Sequence, residues 1–391
     1  MRLLLLGALP WALMAQAPPL SFSDIQGRAR TSPDQYRTKA LLAERQRALA
    51  SSKGFLRDGP SFGVTAGPRT NPGGSATTDQ AVDLDLPLFL AGGTRKRLEA
   101  ALGKADPALQ KGAGIEAKFR LRQAYLDAWL AEQLLSLREA DLVTVQSWRK
   151  AAQARLDVGA DPAFQVSLVD GEVLKTQLEL EEARKQRVLA WAGLQSLAEV
   201  PIQPVPLEQP GDPTPIEGTD LTPRFERGAI RQALQARLDL EQQTLRHQEA
   251  LATSRWSLRA NYSKEEPGVS IAKLGLAYRF TRPGEGRALR QETEANFQVI
   301  KRELEIALLE LGARFQSALQ RLQSLPAPMP SLDFESSLRA VGLRLAEGKE
   351  RPSEALPIRR QLLEAQVAHL RRLHATHLLI AELQALTEGV N

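Results

Sequence analysis

A mainly α protein with a small β portion is the fold class this sequence predicts, and three observations carry it. Long stretches place apolar residues at helical spacing. Two short regions switch to strict apolar and polar alternation, then return to helix across a glycine turn. These events occur twice in the same order, so the expected architecture is two repeats of long helical hairpins plus four amphipathic strands.

At the start, Met1-Arg2, an apolar run from Leu3 to Met14 and the processing site Ala15-Gln16-Ala17 predict a secretory signal peptide over residues 1–17. The run is too short to span a bilayer as a helix. The mature chain is expected to begin near Pro18 outside the cytoplasm, with no cysteine at the cut for lipid attachment.

The first repeat is expected over residues 18–200. Residues 34–56 read as a helix with Ala40, Leu41, Ala48 and Leu49 at helical spacing and a stop at Gly54 and Gly59-Pro60. From Ser61, Phe62, Val64 and Ala66 alternate with small or polar residues as a strand, and the loop-like RTNPGGSATT from Arg69 makes a hairpin with the next one. That next strand lies in AVDLDLPLFLAGGTRKRLEAA, from Ala81. Val82, Leu84, Leu86 and Leu88 share one face, Asp83 and Asp85 the other, and Gly92-Gly93 turn the chain into a helix.

Helical character persists from about Thr94 to Asp157, with an expected weak point at Asp106-Pro107 and Gly112 to Gly114. Sixty residues at helical rise would extend about 90 Å. Leu126, Leu130, Leu134 and Leu137 form the predicted buried stripe, off which Arg122, Asp127, Arg138 and Glu139 fall. In RLDVGADPAF, from Arg155, Gly159 suits a helix end and Asp161-Pro162 a new start, so the chain should reverse. The returning helix spaces Val166, Val173 and Leu180 by seven, a coiled-coil interval.

Residues 201–223 hold seven prolines, from Pro201 to Pro223, and read as a linker. The second repeat, 224–391, repeats the order. A helix from about Arg224 to Arg255 precedes a strand in which Trp256, Leu258, Ala260 and Tyr262 oppose Ser257, Arg259, Asn261 and Ser263. A KEEPGV loop from Lys264 leads to the partner strand, with Ala272, Leu274, Leu276, Tyr278 and Phe280 on one face and Lys273 and Arg279 on the other. A helix from about Glu285 to Leu325 is interrupted by Pro326, Pro328 and Pro330 and resumes from Ser331. It reverses at Gly348 and Pro352, echoing Gly159 and Pro162, and the last helix spaces Leu356, Leu363 and Leu370 by seven.

Composition narrows the function. The chain has 391 residues, 43% hydrophobic but only 5% aromatic, with a diffuse net charge of +5. No basic run is interleaved with aromatics, so no nucleic-acid partner is expected. Without cysteine there is no thiol chemistry. No nucleophile elbow or phosphate-binding glycine loop occurs, and no catalytic residue or cofactor is expected. His369, His374 and His377 lie close together on the last helix, but the i, i+3 pair His374 and His377 has no third ligand at matching spacing, so they read as surface or seam histidines with no metal.

Four strands cannot close a barrel, and an open edge is not tolerated in lipid. Three copies would pool twelve strands, within the range of outer-membrane barrels and wide enough for a water-filled lumen. Asp83, Asp85, Arg259, Lys273 and Arg279 would line it, with Trp256, Tyr262, Tyr278 and Phe280 toward lipid or its interfaces.

The ordered duplication, LDLPLFLAGG from Leu84, LDVGADPAF from Leu156 and LAEGKERPSEALPIRRQLLEAQ from Leu345 together resemble the TolC-like outer-membrane efflux proteins. The resemblance covers essentially the whole mature chain. It implies a homotrimer whose twelve-stranded barrel in outer-membrane lipid continues as a periplasmic α-barrel. It also implies an outer-membrane channel component of a tripartite efflux or secretion system, with a periplasmic adaptor (membrane fusion) protein and an inner-membrane transporter as partners. By position, Val158, Gly159, Ala160 and Gly348 match the tips that meet the adaptor, and Glu354 the acid that narrows the entrance. The next acid position carries Pro357, and Arg279 stands where the first copy has Pro87.

Plainer readings stand beside these. Gly159 and Gly348 serve equally as helix caps, and Glu354 as a solvated charge at a helix N-terminus. The alternative function is an exported periplasmic coiled-coil structural or adaptor protein with soluble hairpins.

Overall fold

The computed structural model describes residues 19–51, 61–70, 76–88, 92–201, 203–211, 221–253, 256–265, 269–278, 285–324 and 334–389. The signal peptide, the expected stop at Gly54 to Pro60, Arg279 and Phe280, and the Pro326 to Pro330 interruption lie outside these residues. In chain order the elements are α1 (Phe22–Gly27), α2 (Pro33–Ser51), β1 (Ser61–Thr70), β2 (Ala76–Pro87), α3 (Gly92–Asp157), α4 (Ala163–Leu197), α5 (Leu221–Glu226), α6 (Ala229–Thr253), β3 (Trp256–Glu265), β4 (Val269–Tyr278), α7 (Glu285–Gln323), α8 (Phe334–Ala346) and α9 (Pro352–Thr387). The chain divides into two compact units. One holds residues up to Ser32, Lys118–Gly218 and Ala318–Gln384; the other holds Pro33–Ala117, Thr219–Ser317 and the residues from Ala385 on.

The second unit carries the β-sheet, antiparallel throughout in the order β1-β2-β3-β4. Each predicted hairpin forms, and β2 also pairs with β3, aligning Asp83 with Asn261 and Leu84 with Ala260. The two repeats therefore share one ladder. Helical packing in this unit centres on Leu42, Leu98, Leu102, Ala105, Leu109, Ala233 and Leu240, while Phe225 stacks on Phe315 at 4.3 Å.

Three expectations change here. The weak point at Asp106-Pro107 and Gly112 to Gly114 is not a break, because α3 runs unbroken through it with Pro107 inside. Gly112 is small for a packing reason: a Cβ there would lie 2.7 Å from the Cβ of Ala233 on α6. The linker does not extend to Pro223, which sits in α5, in the first turn where a missing N–H costs nothing. Nor is the helix from Arg224 continuous. It breaks at Gly228, where a Cβ would meet the Leu386 carbonyl at 2.4 Å, and α6 restarts as Ala229 N–H donates to Glu388 O at 2.8 Å.

The first unit packs the later part of α3, α4, α8 and most of α9. One core gathers Leu121, Tyr125, Ala128, Trp129, Trp191, Leu194 and Leu207; another gathers Val145, Trp148, Ala152, Val166, Val169, Leu345 and Leu356. The buried stripe of α3 is thus displaced from the predicted one: Leu126 is buried, but Leu130, Leu134 and Leu137 are half-buried, beside Leu121, Tyr125, Trp129 and Leu135. Aromatic side chains on the neighbouring face reach further into the core than leucine does. The proline-rich segment is tied down by Glu132, which accepts from Trp191 Nε1 at 3.0 Å and Leu207 N–H at 3.3 Å. Among the described residues no helix is long and apolar enough to cross a membrane.

Candidate functional site

Two places carry the residues that the sequence singles out, the sheet and the helical tips. Alternation along the paired strands puts Asp83, Asp85, Arg259, Asn261 and Lys273 on one face. One ion pair and one hydrogen bond cross the strands on this face: Arg259 Nε lies 3.2 Å from Asp85 Oδ2, and Asn261 Nδ2 donates to Asp83 Oδ1 at 2.8 Å. The opposite face carries Phe62, Val64, Leu84, Leu258, Tyr262, Leu274 and Leu276. It is bare, with Leu274 75% and Phe62 68% exposed. Trp256 and Tyr278 pair across β3 and β4 with ring centroids 5.0 Å apart. An uncovered apolar sheet face of this extent marks a surface meant for something other than water.

The two tips, both in the first unit, have the same backbone. Gly159 and Gly348 each adopt φ +73°, the left-handed conformation that a glycine takes without a Cβ penalty. Gly159 N–H donates to Leu156 O at 2.8 Å and Ala160 N–H to Arg155 O at 2.8 Å; Gly348 donates to Leu345 O at 3.1 Å and Lys349 to Arg344 O at 2.9 Å. These bonds satisfy carbonyls that a helix end leaves without partners. An arginine four residues before each glycine pairs with an acid two residues after it: Arg155 Nε with Asp161 Oδ2 at 2.7 Å, and Arg344 Nη1 with Glu350 Oε1 at 3.0 Å. Val158 is 77% exposed at the first tip.

Glu354 is exposed, and its Oε2 accepts the N–H of Arg351 at 3.3 Å, closing back on the start of its own helix. Pro357 follows inside α9. Beside it Gln165 of α4 reaches across to α9, its Oε1 accepting Ser353 N–H at 3.1 Å and its Nε2 donating to Ser353 Oγ at 3.3 Å.

Sequence reasoning missed the most buried charges near the tips. Arg359, 1% exposed, donates from Nε and Nη2 to Asp141 at 2.7 and 2.5 Å, from Nη1 to Glu172 at 2.7 Å and from Nη2 to Thr176 at 3.1 Å. Glu172 also pairs with Arg360. Burial alone would raise the pKa of Glu172, but its hydrogen bonds from Arg360 and Arg359 outweigh it and lower the pKa to about 2. Burial pushes the Asp141 carboxyl up, against the pull of Arg359. Partners 218 and 187 residues apart leave no local pattern, so no sequence signal could have paired them.

Among the described residues no group of three or more His, Cys, Asp or Glu could hold a metal ion. Instead, His374 Nε2 lies 2.8 Å from Asp127 Oδ1, and His377 is buried.

Residues 39–198 match the model of the family described as outer membrane efflux protein. In sequence the chain is similar to the multidrug resistance outer membrane protein MdtP of Escherichia coli (strain K12) and of Shigella flexneri. Each is 27% identical over an alignment of 214 residues that covers 51% of this chain and 43% of the relative. The match thus spans less than half the length of these curated relatives.

In structure the chain is similar to the outer membrane channel CmeC of Campylobacter jejuni (TM-score 0.69, 14% identity, 94% of this chain and 84% of that one). It is also similar to the outer membrane protein VceC of Vibrio cholerae (0.67, 15%, 92% and 94%) and to the MtrE outer membrane channel of Neisseria gonorrhoeae (0.62, 15%, 94% and 88%). At these identities what is shared is the fold. The resemblance read from the sequence is therefore borne out: the chain is similar to the outer membrane efflux proteins in sequence over residues 39–198, and it shares the fold of these outer membrane channels over almost all of its length.

Proposed function

We propose that this chain is the outer-membrane channel component of a tripartite efflux or secretion system, a passive export duct that crosses the periplasm and the outer membrane. The observation that carries this reading is the sheet. It has four antiparallel strands, a bare apolar face, an opposite polar face crossed by the Arg259–Asp85 ion pair, and two edges, β1 and β4, with no partner strand among the described residues. Such a sheet is stable in lipid only if other chains complete it. A homotrimer would pool twelve strands around a lumen lined by Asp83, Asp85, Arg259 and Lys273, with Arg279 of the same face beyond the described part of β4.

In this reading residues 1–17 are a signal peptide, two structural repeats flank a proline-rich linker that starts at Pro201 and gives way to α5 at Leu221, and the helices form a large periplasmic portion. The protein performs no catalysis. The tips at Val158, Gly159, Ala160 and Gly348 meet a periplasmic adaptor, which links the duct to an inner-membrane transporter. Their identical turns support a shared role at one end of the helical hairpins. Glu354 narrows the entrance while capping α9. A Glu354→Gln variant is expected to alter the cation dependence of conductance, and an unchanged dependence removes that role.

The test of the whole reading is planar-bilayer conductance of the purified protein, paired with its migration before and after boiling. Stepwise conductance and a heat-modifiable trimer band are expected. A soluble periplasmic monomer that adds no conductance would overturn the duct in favour of a coiled-coil spacer.

A further inference from the structure

The two tips match in backbone but not in how their arginines are used. Arg344 pairs with Glu350 while its side chain stays 63% exposed, so among the described residues it serves its own turn. Arg155 is only 22% exposed and its partner Asp161 2%. Its own tip holds the guanidinium: Nη2 donates to Asp161 Oδ1 at 3.2 Å, and Nε stands 2.7 Å from Asp161 Oδ2 as an ion pair without hydrogen-bond geometry. Nη1, like Nε, makes no hydrogen bond among the described residues, and it lies 3.0 Å from where a Cβ of residue 348 would stand. Among the described residues nothing comes within 4 Å of the equivalent point at Gly159. Arg155 is therefore aimed by the first tip and fills the space left by the missing side chain of the second. The Gln165 bonds to Ser353 join the same two hairpins one turn further in.

We propose that Arg155 is a positioning residue that joins the two tips into one composite docking edge, so that a single partner meets both glycine turns at a fixed spacing. The proposal rests on the adaptor reading above and adds the chemistry that the partner must offer. The first tip is apolar, with Val158 and Phe164 both exposed. The second is charged, with Lys349 and Glu347 paired at 2.7 Å and largely in solvent. The matching surface is a polypeptide turn with an apolar side chain beside polar ones, spaced to the two tips together. Gly348 is then glycine for two reasons, its positive φ and the room that it leaves for Arg155, whereas Gly159 has only the first.

The chain contains no cysteine, so a Val158→Cys, Lys349→Cys pair can be spin-labelled cleanly in the purified full chain. Diluting labelled with unlabelled chain restricts the reading to distances within one subunit. A narrow distribution is expected for the parent and for Arg344→Ala, at least twice that width for Arg155→Ala, and partial recovery for Arg155→Lys. In cells, a photoreactive benzoylphenylalanine at position 158 or at 349 should cross-link to the same periplasmic protein. Arg155→Ala should cut the cross-link at 349 at least tenfold and spare bilayer conductance.

Equal widths for Arg155→Ala and Arg344→Ala, or cross-linking unchanged at both positions, would overturn the proposal. Distance broadening in a protein that forms no pore would sink the duct reading and leave the brace standing. A second measurement avoids partners altogether: Gly348→Ala should lower the thermal midpoint more than Gly159→Ala, and the excess should vanish when Arg155→Ala is added. An excess that persists in that background counts against the brace.

Discussion

At the scale of single residues, Arg359 is a buried charge enclosed by its partners, with Asp141, Glu172 and Thr176 all bonded to it out of water. Such clusters contribute little net stability beyond what apolar packing would give, yet removing one member leaves the others buried without compensation. Arg359→Met is therefore expected to destabilise the fold by about 3–5 kcal/mol at neutral pH, read as a lower midpoint for loss of helical circular dichroism. The pH dependence has a definite sign. With the Glu172 pKa lowered from 4.5 to about 2, its contribution is fully present above pH 4.5 and is lost as the pH falls toward 2. Glu172→Gln should flatten the stability curve over that acid window, and an acid limb as steep as the parent's would count against the pairing. A cluster built from three helices fixes their register along one another, a role that sliding leucine seams do not fill.

At the scale of elements, glycine has opposite meanings within one helix. Among the described residues Gly103 has nothing within 4 Å of its absent side chain, so Gly103→Ala in α3 should gain up to about 1 kcal/mol from helix propensity alone. Gly112→Ala has the same propensity gain but drives a methyl to 2.7 Å from Ala233. It should destabilise instead, and thermal midpoints that move together for the two variants would reject this packing account. The contrast explains what the sequence could and could not convey. A local signal fixes a local structure, as with Gly159 and Gly348, where a turn needs positive φ, or with strands whose alternation sets their faces. Gly112 was read as a break because the signal for close packing lies on α6, over a hundred residues away, and Gly228 was missed for the same reason, its constraint being the Leu386 carbonyl. The Arg359 cluster was invisible likewise. Element type was legible; the contacts that decide how elements dock were not.

For the whole molecule, the decisive feature is that the β2 to β3 ladder merges the two hairpins into one sheet, leaving β1 and β4 as its edges. Neighbouring strands lie about 4.8 Å apart, so β1 and β4 of one flat sheet are separated by roughly 14 Å, whereas a disulfide needs Cβ atoms within about 4.5 Å. Cysteines placed on the polar face at Ser61, Gly63 or Thr65 of β1 and at Lys273, Gly275 or Ala277 of β4 can therefore link only if another copy brings its edge alongside. In the cysteine-free background, oxidation of one of these nine pairs is expected to give covalent dimers and trimers on denaturing gels, while mixing singly substituted chains should give dimers only. Intramolecular closure without higher bands would mean that the sheet curls on itself and that three copies are not needed. Absence of links at all nine pairs would leave the apolar face without the neighbours that lipid demands, because an edge strand cannot remain unpaired in a bilayer.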